Sequence, residues 1–416
     1  MTDSDRKLER TLVARYEQLK AMGLALDLTR GKPAADQLDL ANALDGILGG
    51  DYRASDGTDT RNYGGLRGIP EARALGADLL DVPADHVIAG GNSSLQLMHL
   101  VIDTAMHYGL LGEPMRGAGP VKAICPVPGY DRHFALSASF GIDMVTAPMT
   151  DDGPDPDALE ALVRNDPACR FLWCVPKYAN PTGCIYSPEV VERIASLPNL
   201  TDGPLFILWD NAYAAHDFEF PRAPLENVFE CAGRAGTADR IIGFASTSKI
   251  TFAGAGVGFI AGSGAVLDAL EARMSVFTIG PDKVNQLRHA RLLQGRIDEH
   301  MARHAALVRP RFEATEQCLQ TSLGGTDIAT WTRPRGGYFV SLDTKPGLAK
   351  TVVRLAKEAG VALTPAGATF PNGIDPEDKN IRIAPTFATV EDIEAAIEVL
   401  GLCIQLATVR QRLEQR

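Results

Sequence analysis

The chain has 416 residues, 45% of them hydrophobic and 22% charged, with a formal net charge of -11. That length suits two or three structural units with sizeable cores, and the composition is that of a globular protein. The acidic balance argues against a general nucleic-acid or membrane-surface binder, and no apolar run is long enough to span a bilayer.

The first residues, Met1 to Arg6, lack the basic start and apolar core of a secretory signal. Seven cysteines (125, 169, 174, 184, 231, 318 and 403) are scattered, with no C-x-x-C spacing. Reduced thiols and a cytoplasmic location are the expectation.

In chain order, residues 4–22 carry Leu8, Leu12, Val13, Tyr16 and Leu19 near helical spacing and predict an amphipathic helix. Leu26 to Pro33 reads as an extended segment ending in a Gly/Pro loop at Gly31. Residues 51–67 are polar and turn-rich. A helix is expected to start near Ile69-Pro70-Glu71, because proline suits the first helical turn. From Val87 onward strands and helices alternate. Strands are predicted at 87–89, 121–125, 144–147, 171–175, 205–209, 241–245 and 257–261. Helices are predicted through about 108 after Gly90-Gly91-Asn92-Ser93-Ser94, and at 130–140 and 156–164. The strands at 171–175 and 205–209 are apolar without alternation, so both faces should be buried.

This pattern predicts an α/β fold with a large, mostly parallel central sheet flanked by helices. Ligands of such sheets sit beyond the strands' carboxyl ends. Ser93, Tyr130, Asn180, Asp210 and Lys249 all lie just past predicted strands, which points to one shared site. Helices are expected at 264–275 and at about 282–321, with Pro310 kinking or splitting the second. The rest reads as a smaller α+β unit. It has a strand at 338–342, a helix at 348–358, strands near Val361 and Ile381, and a helix from Val390 onward. The expected division is 1–50 as a segment packing with the small unit, 51–290 as the large unit, and 291–416 as the small unit.

The most informative stretch runs from Gly243 to Phe259. An apolar run, Ile241 to Ala245, leads through Ser246-Thr247-Ser248 to Lys249, then into Ala253-Gly254-Ala255-Gly256-Val257-Gly258. A lysine at the mouth of a buried strand is costly unless its charge is removed or balanced. Condensing the amine with an aldehyde removes it, so Lys249 is a candidate Schiff-base lysine for pyridoxal phosphate. The alternative is a solvated lysine at a strand end. The serines and glycine amides could cradle a phosphate.

A pyridoxal phosphate site also needs a carboxylate at the pyridine nitrogen, which keeps the ring protonated. Asp210 ends an apolar strand and suits that place; otherwise it is a turn aspartate. Tyr213 and Asn180 could each bond the ring's phenolate oxygen, although Asn180 also fits an ordinary Asn-Pro turn. Tyr130 could stack on the ring or simply pack. His300 and His304 stand four apart on a helix. With no further ligand in view, they read as surface histidines, and no metal site is expected.

N-P-T-G at 180–183 is followed by D-x-x-Y, 30 residues after Asn180, and by S-x-S-K, whose lysine lies 39 residues after Asp210. This series resembles the pyridoxal-phosphate-dependent aminotransferases of fold type I, class I/II, over nearly the whole chain. The resemblance implies that the large unit binds the cofactor and that Lys249, Asp210 and Tyr213 are catalytic. It implies a cofactor site of Ser93, Ser94, Tyr130, Asn180, Asp210, Tyr213, Ser246, Ser248 and Lys249. Tyr63, in Y-G-G-L-R-G-I-P-E-A-R, would reach the neighbouring subunit's phosphate, which implies a homodimer with shared sites. Gly31, Asn180 and Arg382 would bind substrate, the arginine fork clamping the α-carboxylate.

There is one departure. Family members place a phosphate-binding arginine soon after the lysine, where Gly256 stands here; Lys283 is the candidate substitute cation. This departure, with T-R-G-K-P-A-A-D-Q-L-D-L and T-I-G-P-D-K-V-N-Q-L-R-H, resembles the bacterial subgroup Ic aspartate aminotransferases. The implied reaction is ping-pong amino transfer between an amino acid, L-aspartate, and 2-oxoglutarate. Arg30, Lys32, Arg61 and Arg132 are candidates for the side-chain carboxylate. Two alternatives stay open: a pyridoxal-phosphate-dependent carbon–sulfur β-lyase, and a pyridoxal-phosphate-sensing transcription regulator. The second is disfavoured by the acidic charge and by the short stretch ahead of the cofactor unit.

Overall fold

The computed structural model describes residues 2–415. Its first nine strands are β1 (Leu26–Leu28), β2 (Val87–Ala89), β3 (Lys122–Val127), β4 (Asp143–Thr150), β5 (Gly153–Pro154), β6 (Cys169–Cys174), β7 (Phe206–Asp210), β8 (Ile241–Ser246) and β9 (Gly258–Ala261). Four more follow: β10 (Ala329–Trp331), β11 (Val340–Thr344), β12 (Val361–Leu363) and β13 (Asn380–Ile383).

The central sheet has eight strands in the order β2-β9-β8-β7-β6-β3-β4-β5. From β8 to β4 every pairing is parallel. Phe171, Leu172, Phe206, Ile207 and Leu208 are fully buried, as strands covered by helices on both faces require. β9 runs antiparallel to both β8 and β2. The cause is chain length: only residues 247–257 separate β8 from β9, fewer than a parallel crossover needs. The strand after Lys249 therefore returns beside β8, and the lysine turn is held at the sheet's carboxyl edge.

A separate core gathers both ends of the chain. The helix Thr2–Ala21 places Leu12, Tyr16 and Leu19 among Leu319, Leu355, Ile397 and Leu400. Tyr16 donates its hydroxyl hydrogen to the carbonyl of Leu355 at 2.9 Å. β1 pairs in parallel with β12, Leu26 opposite Val361 and Leu28 opposite Leu363. Next to them, β10-β11-β13 form an antiparallel sheet, closed off by the helix Val390–Glu414.

The long helical region differs from its expected form. It divides into helices Lys283–Leu293 and Ile297–Leu323, and the break falls at Gly295, whose φ is +68°. The second helix runs unbroken through Pro310. Proline there frees the carbonyl of Ala306, but both residues lie on the exposed face, where water can satisfy it. Among the described residues no helix is long and apolar enough to cross a membrane.

Candidate active site

Asp210 is the last residue of β7, and Lys249 lies three residues past the end of β8. The Lys249 amine sits 5.2 Å from the centroid of the Tyr213 ring. Burial pulls its pKa below the ordinary lysine value, and the nearby Asp210 opposes that shift in part. The backbone of Lys249 is also fixed. Its carbonyl accepts from His216 Nε2 and from the Tyr338 hydroxyl, each at 3.2 Å.

Asp210 is buried, and its Oδ2 lies 3.0 Å from Nε2 of buried His133. A carboxylate accepts, so His133 donates from Nε2. The His133 ring stacks on Trp173 at 4.1 Å and 8°, which sets its plane. The other oxygen, Oδ1, is buried with no hydrogen-bond partner. Sequence reasoning missed His133. The signal was its position three residues after Tyr130, on the helix that follows β3. Tyr130 meets the His133 ring edge-on at 4.9 Å. Tyr213 is buried, and its hydroxyl pKa is raised by that burial and then by Tyr130 and Asp210.

The predicted phosphate-binding residues come together at the other side. Ser93 is the N-cap of the helix Ser94–Asp103, yet its side chain makes no capping bond. Ser248 donates from Oγ to the carbonyl of Asn92 at 3.0 Å, tying the lysine turn to that helix start. Ser246 pairs with Gly258 across β8 and β9. Gly256 owes its identity to this tight join: a Cβ there would lie 2.8 Å from Ser248 Oγ and 2.9 Å from its Cα and backbone nitrogen. No arginine fits without moving the turn. Lys283 does not stand in for it. It is buried, and its amine donates to the carbonyls of Asn62 at 2.7 Å and Gly64 at 2.6 Å. It anchors the loop that presents Tyr63, which is 82% exposed.

Arg382 comes from β13 and is buried. Its Nη1 donates to Asp131 Oδ1 at 2.9 Å and to Asn180 Oδ1 at 3.3 Å. The guanidinium lies 4.9 Å from the Phe339 ring centroid, and Nε has no partner. Gly31 lies against the same ring, and a Cβ there would collide with Phe339. Gly31, Asn180 and Arg382 thus share one neighbourhood. Of the candidate side-chain cations, Arg61 is held by both oxygens of Asp59, and Lys32 sits 4.0 Å over Phe387. Arg30 and Arg132 are exposed and have no ion-pair partner among the described residues.

One expectation is overturned. His300 and His304 are buried, not on the surface. His300 Nε2 faces the carbonyl of Ile250 at 2.7 Å, and His304 Nε2 faces the Tyr338 hydroxyl at 3.3 Å. The helix turns this i, i+4 pair inward, beneath the lysine turn.

The family model for aspartate amino-transferase matches residues 1–416. The chain belongs to this family. The aminotransferase is 45% identical over 402 residues to the aspartate aminotransferase of Corynebacterium glutamicum, across 94% of this chain and 92% of that protein. Its fold matches the crystal structure of an aspartate transaminase from Corynebacterium glutamicum with a TM-score of 0.95 at 42% identity, covering 98% and 97% of the two chains. The α-aminoadipate aminotransferase LysN from Thermus thermophilus shares the fold, with a TM-score of 0.75 at 24% identity over 92% of this chain and 93% of that one. Aminotransferases of this family depend on pyridoxal phosphate. The mostly parallel sheet and the fold type I resemblance thus stand together.

Proposed function

We propose that this aminotransferase binds pyridoxal phosphate and moves an amino group between L-aspartate and 2-oxoglutarate in two half-reactions at one site. The observation that carries the cofactor reading is Oδ1 of Asp210, a buried acceptor without a donor. Buried acceptors are rarely left unmade, and a protonated pyridine nitrogen supplies the missing hydrogen. The other residues fit the same group. Ser93 and Ser94 offer hydroxyls at a helix N-terminus, which favours an anion, and Ser246 and Ser248 lie at the end of β8 and in the turn tied to that helix start. Tyr130, Asn180 and Tyr213 would line the ring, and Gly256 leaves room for the tight turn.

When bound, pyridoxal phosphate supplies an electron sink for the charge left as the α-proton departs. The protein's part is to hold and move protons. Lys249, whose pKa burial lowers, gives up its proton more readily than an exposed lysine, and its Nζ can take the α-proton and give it back. His133 fixes the Asp210 carboxylate in one plane. Arg382 offers its guanidinium to the α-carboxylate, with Asn180 beside it. The aspartate reading draws support from the name of the Corynebacterium glutamicum relative. Arg30 and Arg132 remain the candidates for the second carboxylate.

A second copy of the chain would complete the site. Tyr63 shares a pocket lining with Val276, Phe277 and Ile279, which are 75%, 59% and 64% exposed. Such a patch, with a loop pinned by Lys283, suits a self-complementary interface. A division into a large and a small unit, with the chain start joined to the small one, is supported by the core that unites Leu12, Tyr16, Leu19 and Leu28 with residues from Val308 onward. Leu48, Leu293, Ile297 and Met301 pack instead with Ile69 and Phe259 of the large unit, so they belong with it although they lie outside the expected 51–290 bounds.

The test is an absorbance spectrum of the protein with pyridoxal phosphate, before and after L-aspartate, beside Lys249→Ala. The expected result is a visible band that moves to the near ultraviolet with release of oxaloacetate, and no such band in the variant. An unchanged band with aspartate, but pyruvate and ammonia from cystathionine, would make the protein a β-lyase instead. An equal band in Lys249→Ala overturns the role of Lys249.

A further inference from the structure

We propose that Asp131 is a resident counter-ion for Arg382, which the substrate's α-carboxylate displaces on binding. The proposal rests on Arg382 being the α-carboxylate site. Arg382 lies in β13, whereas Asp131 opens the helix Asp131–Ser139, 251 residues away in sequence and next to Tyr130. The two side chains are 7% and 36% exposed, and Nη1 to Oδ1 is 2.9 Å. No other carboxylate pairs with Arg382 among the described residues.

A buried guanidinium needs a counter-charge, since an unpaired one carries a large desolvation penalty. Asp131 meets that need in the substrate-free protein. The difference in exposure decides which partner can move. Arg382 is held by burial, by Asn180 and by the Phe339 face. Asp131 is open to water on one side, so its carboxylate can rehydrate on release. It also stays in the first turn of a helix, where the dipole favours an anion.

A substrate carboxylate arriving while Asp131 remained would put two anions on one cation, which disfavours both. Binding is therefore an exchange of carboxylates, and its strength is the difference between two pairings. A ligand without an α-carboxylate cannot make the exchange. The proposal assigns Asp131 a role in selectivity: it weakens every α-carboxylate ligand by a common factor and leaves neutral analogues unaffected. Because the pair also links the sheet side to β13, the exchange removes one tie between them.

The test uses the holoenzyme and two variants, Asp131→Asn and Asp131→Ala. Succinate, which carries two carboxylates and no amine, is titrated by calorimetry. The α-amide of aspartate serves as the neutral control. Both variants are expected to bind succinate about fivefold more tightly, the factor that loss of one half-exposed ion pair gives. Neither should gain for the α-amide. The KM for L-aspartate should fall by more than any change in kcat. The melting temperature of each substrate-free variant should fall, and the gap should close at saturating succinate. Unchanged or weaker succinate binding in both variants overturns the exchange. Arg382→Lys separates the two levels. If it binds succinate as well as the parent protein, or if the parent binds none, the reading of Arg382 fails and the proposal falls with it. If Arg382→Lys loses succinate while the Asp131 variants gain nothing, only the role of Asp131 falls.

Discussion

At the scale of single residues, Gly256 shows how a departure from a family pattern can have a steric cause. In the sequence it is only a missing arginine. In the fold it is the position at which a Cβ would strike the backbone of Ser248. Restoring the arginine should therefore fail. Gly256→Arg and Gly256→Ala are both expected to destabilise the protein by about 1–3 kcal/mol, the range for overpacking a filled site. Both should also weaken pyridoxal phosphate binding, measured by equilibrium dialysis. If Gly256→Arg binds the cofactor more tightly than the parent, the steric account is wrong. Residues placed by position after a strand, such as Lys249, Asp210 and Asn180, were legible from local sequence. His133 and Asp131 were not, because each takes its meaning from a partner far along the chain. Asp210 is 77 residues from His133, and Arg382 is 251 from Asp131. No local pattern encodes such pairs.

Among secondary-structure elements, the buried strands were the most legible, since continuous apolar runs leave few other choices. Two surface helices, Pro188–Ser196 and Val228–Ala235, were missed although their caps are written in the sequence. Ser187 accepts from the backbone N–H of Val190, and Asn227 accepts from Phe229 at 2.9 Å and Glu230 at 3.2 Å. Pro188 at the first helical turn is a further start signal. Asn227 also donates to the carbonyl of Asp81 at 2.7 Å, so it joins two elements. Asn227→Ala is expected to cost about 1–2 kcal/mol in urea unfolding, a cap together with a tertiary bond. A loss below a few tenths would mean that the helix is held by packing alone. The break at Gly295 rather than Pro310 teaches a related lesson. A proline on a wet face leaves its orphan carbonyl to water, whereas a left-handed glycine turns the chain.

Over the whole molecule, four buried histidines set the response to acid. His216, His289, His300 and His304 all have pKa values lowered, chiefly by burial. For His304 the pKa is pulled to about 3, with His300 and Arg311 adding to the effect of burial. In the folded protein burial makes these rings harder to protonate than in the unfolded chain. In the unfolded chain they take protons below about pH 6.5. Their contribution to stability is therefore complete above that pH and is lost as pH falls through their lowered values, for His304 toward about 3. His304 removes about 1.4 kcal/mol per pH unit in that window. Urea melts between pH 7.5 and 5 should show stability falling steeply below 6.5, and His304→Asn should flatten the slope by about one histidine's share. A parent protein equally stable at pH 5 and 7.5 would contradict this. The two residues read as surface histidines in the sequence are thus half of the set, since helical spacing alone does not say which way a face turns.

The pairing of β1 with β12, and of the first helix with the last, also shapes how the protein is made. At about 5–20 residues per second, roughly 20–80 s separate the synthesis of Leu12 and Tyr16 from that of the helix that covers them. For that interval the first segment's apolar residues lack the last helix that covers them. The nascent chain therefore offers a chaperone its handle early, and gives it up only when translation is nearly complete.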